Sequence, residues 1–200
     1  MKLRYIYFDS MIACYNGCTI ATEKGERMEK SRFDYVVFDI ETTGLNPKSD
    51  RICEIGAIGV RGGLPQETFS TLVSIGGKMP ARATEINGIT DEMLAGAPSI
   101  GEALDGFIGF TGDECLLIGH NIEGFDLKFI YHAASKTQRS LPVWYTFDTL
   151  RMARMIWPEL ESHSMDSFRK LLGMERSDAH RALADCYDEF LLFSVGKASR

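Results

Sequence analysis

Asp39 and Glu41 stand one residue apart in the run Tyr35-Val36-Val37-Phe38-Asp39-Ile40-Glu41-Thr42-Thr43-Gly44. Val36, Val37, Phe38 and Ile40 are β-branched or aromatic, the residues a packed strand prefers. On a strand, residues two apart leave from the same face, so both carboxylates point one way. Two acids side by side at the end of an apolar strand repel each other and are costly to desolvate. A divalent cation between them relieves both costs, and hard oxygen donors suit Mg²⁺ or Mn²⁺. An isolated Asp-x-Glu is more often a pair of solvated acids, so the cation reading requires further donors.

Two more acids and a histidine meet that requirement. Asp126 follows a short apolar strand and opens a helix. Asp185 lies in the last helix, in the stretch His180-Arg181-Ala182-Leu183-Ala184-Asp185-Cys186, whose small and apolar residues let it approach a sheet closely. Four acids around two cations roughly 3.5–4 Å apart is the arrangement of two-metal phosphoryl chemistry. His180 supplies an imidazole, the side chain whose ordinary range makes it the natural base for a water at neutral pH. Five residues before Asp185 it would sit about 140° away on an ideal helix. His180 is therefore expected in the turn that precedes the helix.

The surrounding elements must bring these residues together. Strand one ends at Ile40 or Glu41, and Thr43-Gly44-Leu45-Asn46-Pro47 turns the chain. Ile52 to Val60 reads as strand two, 61–65 as a loop and Glu67 to Ile75 as strand three. Short connections make these an antiparallel meander, since parallel pairs need long crossovers. Short helices over 81–86 and 91–94 flank Asn87-Gly88-Ile89-Thr90, and Ser99 caps a longer one. Strands at 115–119 and 144–147 then alternate with helices at 125–135, 149–156, 164–172 and 181–195. The fold class is α/β: a mixed sheet of an antiparallel three-strand meander plus parallel strands, flanked by helices. Strand ends and helix starts in such a sheet gather at one edge, where ligands bind.

Residues 1–30 stand apart from this core. Asn16-Gly17 is a strong hairpin signal between 12–15 and 18–21, and 23–32 is charged like a linker. A poorly ordered terminus is the equal alternative. The main domain is placed at 31–200. Asp9 breaks the apolar N-terminal run, so no signal peptide is expected, and no apolar stretch approaches the ~20 residues of a membrane helix. Five cysteines, only Cys14 and Cys18 close in sequence, read as free thiols of a cytoplasmic protein. The net charge of −6 disfavours a polyanion partner. Two divalent cations on four of the acids would leave 22 positive against 24 negative charges, which removes the objection.

Phe38-Asp39-Ile40-Glu41-Thr42-Thr43-Gly44, His120-Asn121-Ile122-Glu123-Gly124-Phe125-Asp126 and His180-Arg181-Ala182-Leu183-Ala184-Asp185 resemble the three motifs of the DEDDh (DnaQ-like) 3′–5′ exonucleases. Asn87-Gly88-Ile89 and Asp148-Thr149 fit that family's connecting segments, and the likeness covers roughly residues 33–195. Within the family the chain is most similar to the DNA polymerase III proofreading type. The resemblance implies a ribonuclease H-like fold and Asp39, Glu41, Asp126 and Asp185 as ligands of two Mg²⁺ or Mn²⁺ ions. It implies His180 as the base and release of nucleoside 5′-monophosphates from a single-stranded 3′ end, DNA favoured over RNA, alone or beside a DNA polymerase. Thr42, Thr43, Leu45, Ile89, Asn121 and Phe125 would contact the terminal nucleotides, with backbone N–H groups of 42 and 43 free for the 3′ end. For Ile89 and Phe125 a core role is the equal alternative. A non-catalytic nucleic-acid or polymerase-binding module is the reading from another class, and the intact site residues argue against it. His120, His163, Trp144 and Trp157 read as structural. Lys128, Lys136 and Arg139 read as solvated surface that could also form a basic edge.

Replacing the proposed base tests this reading directly. His180→Ala is expected to slow the reaction by roughly 10²–10⁴-fold. A change under threefold in steady-state rate would make His180 a bystander.

Overall fold

A computed structural model of the chain describes residues 4–5, 32–174 and 180–198. The hairpin expected over 12–21 and the Cys14/Cys18 pair lie outside the described residues. The strands are β1 (Arg4–Tyr5), β2 (Tyr35–Thr42), β3 (Ile52–Arg61), β4 (Leu64–Leu72), β5 (Glu114–Gly119) and β6 (Val143–Asp148). The helices are α1 (Ala81–Asn87), α2 (Asp91–Leu94), α3 (Ile100–Thr111), α4 (Asp126–Lys136), α5 (Thr149–Ile156), α6 (Met165–Leu172) and α7 (Ala182–Ala198).

The sheet order is β1-β6-β5-β2-β3-β4. β2, β3 and β4 pair antiparallel, whereas β5 runs parallel to both β2 and β6. The chain leaves β2 toward β3 and leaves β5 toward β6, so the carboxyl ends of β2 and β5 flank a topological switch, where open α/β sheets form their ligand crevice. β1 adds two residues beside β6, with Arg4 opposite Tyr145 and Tyr5 opposite Thr146.

One sequence expectation fails at the β3–β4 connection. Residues 61–65 are not a loop: β3 runs to Arg61 and β4 starts at Leu64. Gly62 and Gly63 have φ of 62° and 77°, so two residues suffice for the primed turn that joins twisted strands.

The two faces of β2 pack differently. Val36, Phe38 and Ile40 join the core formed with α3 and α4, around Leu104, Phe107, Leu127 and Ile130. Tyr35 and Val37 join the core formed with α7, around Cys186, Leu192 and Phe193. Asp39 and Glu41 continue the α7 face. The strand is therefore apolar while it crosses the core and acidic where it emerges, which places its carboxylates opposite the first turn of α7.

α7 is drawn onto that face by two residues of β3. Gly56 leaves room for the helix backbone: a Cβ there would stand 2.4 Å from the amide nitrogen of Leu183. Glu54, 2% exposed and paired across the sheet with Glu41, accepts two hydrogen bonds from Arg181, at 3.0 and 2.7 Å, and one from the Ala182 N–H at 3.0 Å. It thus satisfies an orphan donor at the helix start and compensates its own burial. Since the clash at Gly56 would be with backbone, Gly56→Ala is expected to cost about 1–3 kcal/mol and to lower activity by displacing Asp185. A urea midpoint and rate both equal to wild type would show that α7 does not depend on this approach.

Candidate active site

The carboxylates arrive from three elements. Asp39 and Glu41 come from the end of β2, Asp126 from the first residue of α4 and Asp185 from the first turn of α7. Asp39, Glu41 and Asp185 each bring one oxygen to a common point, the three atoms lying within 4.8 Å of one another. Asp126 stays outside that trio but lines the same cleft, of about 320 Å³, with Asp39, Asp185, His180, Asn121 and Phe125.

The electrostatics are those of an acid cluster awaiting positive charge. Burial, together with repulsion from Asp185, Glu54 and Asp126, pushes Glu41 up to about 8, against a hydrogen bond from the Asn87 side chain. Burial raises Asp126 to about 8, although backbone hydrogen bonds from Asp126 and Ile40 oppose it. Asp39 is driven well up by burial and then by Asp126, Glu189, Glu41 and Asp185. Asp185 rises through burial, with Arg169 pulling the other way. Asp126 Oδ1 is buried without a hydrogen-bond partner among the described residues. An orphaned, desolvated carboxyl oxygen beside three crowded acids matches the donor set of a hard divalent cation. Asp39, Glu41, Asp185 and Asp126 therefore fit the Mg²⁺ or Mn²⁺ expected from the sequence.

His180 sits immediately before α7 with φ of 64°. Its side chain is 40% exposed and its Nε2 lies 3.8 Å from Asp166 Oδ1. Its backbone N–H donates to Asp185 Oδ1 at 3.1 Å, tying the histidine turn to one of the clustered carboxylates.

The sequence did not single out Arg169, and it placed Asn87 and Asp148 in connecting segments without a role at the site. Arg169 of α6 is 4% exposed and brings its guanidinium within 2.6 Å of Asp185 Oδ1, 2.7 Å of Asp188 Oδ2 and 2.7 Å of Asp166 Oδ1. It neutralises part of the cluster and spans the acids on both sides of His180. Asp185→Ala would thus remove an ion pair and the acceptor for the His180 N–H as well as one carboxylate of the cluster, and Asp185→Asn is the milder probe. Asn87, singled out only as part of a connecting segment, hydrogen-bonds Glu41. Asp148 accepts from Leu150 N–H at 2.9 Å as the cap of α5 and from Asn121 N–H at 3.0 Å. It holds Asn121 in its φ of 63° at the cleft rim.

The expected substrate contacts divide. Leu45 is 84% exposed, an apolar side chain held out from the turn that follows β2. Phe125 lines the cleft and packs on Phe129 with centroids 5.1 Å apart. Ile89 is fully buried with Cys53, Ile75 and Leu94, so it packs beneath the site and presents no surface there. The Thr43 N–H is not free: it donates to Arg51 O at 2.9 Å, while Thr43 Oγ1 accepts from Arg51 N–H at 3.0 Å. Thr42 Oγ1 donates to Gly44 O at 2.6 Å. These bonds brace the turn that carries Leu45. Arg139 forms a two-pronged pair with Asp105 at 2.7 and 2.8 Å, which takes it out of a basic edge. His120 is structural: its ring nitrogens meet Thr149 Oγ1 at 3.0 Å and His163 O at 2.8 Å, and burial lowers it to about 4.

Acids gathered at the switch point of a mixed sheet, under helices on both faces, define a ribonuclease H-like fold with a carboxylate cluster that could hold a cation. A family model described as exonuclease (RNase_T) matches residues 36–193, and the chain belongs to that family. DNA polymerase III subunit epsilon of Aquifex aeolicus is 34% identical over 167 residues, which span 82% of each chain. DNA polymerase III PolC-type of Clostridium perfringens is 38% identical over 168 residues, 82% of this chain but only 11% of that protein. A solved zinc-bound exonuclease I–single-stranded DNA complex from E. coli superposes with a TM-score of 0.73 at 18% identity, over 86% of this chain and 41% of that one, a likeness of fold.

The raised carboxyls set a sign for stability. Glu41 and Asp126 ionise near 4 when unfolded but near 8 when folded. The cation-free native state keeps protons that the unfolded state has lost, so their contribution is full below about pH 4 and disappears as pH rises through 8. His120, lowered to about 4, has the opposite slope, confined below its unfolded value of about 6.5. Between about pH 6.5 and 8 the acids act without it. In EDTA the urea midpoint should therefore fall across that window, and saturating Mn²⁺ should raise it most at pH 8, with protons released on binding. A midpoint in EDTA that climbs from pH 6.5 to 8 would overturn the protonated-cluster reading.

Proposed function

We propose that this chain is a two-cation 3′–5′ exonuclease that hydrolyses the terminal phosphodiester of single-stranded DNA and releases nucleoside 5′-monophosphates. The observation that carries it is the convergence of Asp39, Glu41 and Asp185 within 4.8 Å at the cleft that Asp126 closes. Two divalent cations held there would supply an activated water and neutralise charge on the phosphate and the departing oxygen. Everything else falls to side chains. His180, exposed at the rim, takes the proton of the attacking water at its imidazole, and Asp166, at 3.8 Å, stabilises the resulting imidazolium. Leu45 and Phe125 offer apolar faces for the last bases, a contact that tolerates any base, and Asn121 borders the phosphate path.

Membership of the exonuclease family supports the reaction. The DNA substrate and a polymerase partner are supported by the epsilon relative, matched over most of both chains. Among the described residues no helix is long and apolar enough to cross a membrane, and Cys53, Cys115 and Cys186 are buried free thiols, which suits the cytoplasmic location assigned here. We assign residues 31–200 to the exonuclease domain and 1–30 to an addition outside the family pattern.

The test is a time course on 3′- and 5′-labelled single-stranded DNA and RNA of one sequence, with Mg²⁺, Mn²⁺ or EDTA, beside Asp185→Asn. Stepwise shortening from the 3′ end, abolished by EDTA and reduced at least 10²-fold in Asp185→Asn, is expected, with DNA the faster substrate. Faster cleavage of RNA would reassign the substrate. A folded protein that cleaves neither strand with either metal would leave a nucleic-acid or polymerase-binding module in its place.

A further inference from the structure

Glu189 was not among the acids read from the sequence, yet it lies in the same cleft. It follows Asp185 by one helical turn on α7, so both side chains leave the same helix face. It is 1% exposed. Its Oε1 accepts the His120 N–H at 3.0 Å. Its Oε2 is buried and has no hydrogen-bond partner among the described residues. The groups that act on it are Asp126, Asp185 and Asp148, each unfavourably, and it in turn raises Asp39.

A purely structural role explains half of this side chain. Accepting one N–H from the turn at His120 needs one oxygen, and a neutral amide would serve as well. The second oxygen then costs about 1–3 kcal/mol as a buried acceptor without a donor, and the charge adds repulsion to an already crowded cluster. Asp126 Oδ1 is orphaned in the same cleft. Two unpartnered carboxyl oxygens entering one acid-lined space from α4 and α7 describe a cation's donors rather than a protein contact.

We propose that Glu189 is a fifth carboxylate of the cation centre, its Oε1 held by the His120 turn and its Oε2 kept for the cation. The centre then carries one more negative charge than Asp39, Glu41, Asp126 and Asp185 provide. That carboxylate strengthens cation binding, and without the cation it destabilises the protein at neutral pH, because the cleft must either hold its charge against the neighbouring acids or keep a proton that the unfolded chain would release. The inference rests on the cation-dependent reading above.

Glu189→Gln keeps the shape and the acceptor for His120 N–H while removing the charge, and it tests both consequences without nucleic acid. Calorimetric titration with Mn²⁺ should show affinity weakened about 10–100-fold, the range for groups that support metal ligands. The thermal midpoint in EDTA should rise by about 2–4 °C. Glu189→Ala, which also loses the His120 contact, should weaken Mn²⁺ binding as much but fail to gain stability in EDTA. Mn²⁺ affinity within twofold of wild type in both variants would make Glu189 a structural residue while leaving the exonuclease reading standing. Glu189→Gln that is less stable than wild type in EDTA would also overturn the proposal. Conversely, wild-type protein that binds Mn²⁺ through Glu189 but cleaves no DNA or RNA would retain this inference and refute the nuclease.

Discussion

Mutual repulsion among buried carboxylates is the constraint on which this structure depends. Burial disfavours the charged forms of Asp39, Glu41, Asp126, Asp185 and Glu189, and repulsion from neighbouring acids of the cluster adds to it at Asp39, Glu41 and Glu189. Two unit charges about 4 Å apart at an effective dielectric of ~20 interact by about 4 kcal/mol, a large share of the 5–15 kcal/mol that holds a domain folded. Left to relax, such a cluster would push its elements apart. It persists because each acid is mounted on an element committed to the core for other reasons: β2 through Val36, Val37 and Phe38, α4 through Leu127 and Ile130, and α7 through Leu192 and Phe193.

The supports around the cluster share one purpose. Glu54 is a buried acid satisfied by Arg181 and the Ala182 N–H at the start of α7, so what could have been another repulsive charge becomes a clamp on the helix that carries Asp185. Arg169 gives the opposite side its counter-charge. Breaking such a buried pair leaves an uncompensated charge, which typically costs 3–5 kcal/mol, so α6 and α7 are locked together at the point where His180 enters. Both contacts on Asp185, the guanidinium and the His180 N–H, fall on Oδ1, which orients the carboxylate.

The cleft rim is built differently. Short backbone and hydroxyl hydrogen bonds brace residues 42–51, and Asp148 pins Asn121, so the exposed Leu45 and the half-buried Phe125 are carried on stiff turns. The rim therefore presents apolar side chains over an acidic floor, an arrangement that would suit base stacking above and phosphate binding below.

How much of this was legible in the sequence follows from the range of the interactions. Local chemistry was readable residue by residue. Alternation in 35–41 placed Asp39 and Glu41 on one face, Ser99 announced the cap of α3, Gly173 ended α6, and the five-residue spacing put His180 outside α7. The type and order of the elements followed from the same short-range patterns, and with them the sheet edge at which the acids meet. Contacts between residues far apart in the chain left no such trace. Glu54 with Arg181, separated by 127 positions, and Arg169 with Asp188 look like ordinary surface charges until the fold buries them. Ile89 and Thr43 looked available to a ligand until packing took the one and the Arg51 backbone the other. Glu189 was visible as an acid one turn from Asp185, but only the depth of α7 against β2 decided that it is buried, half-satisfied and turned toward the cluster. Sequence alone determined which chemistry the chain carries and on which elements. Tertiary structure decided which charges are desolvated, because desolvation depends on what else occupies the space, and that is set by the whole chain at once.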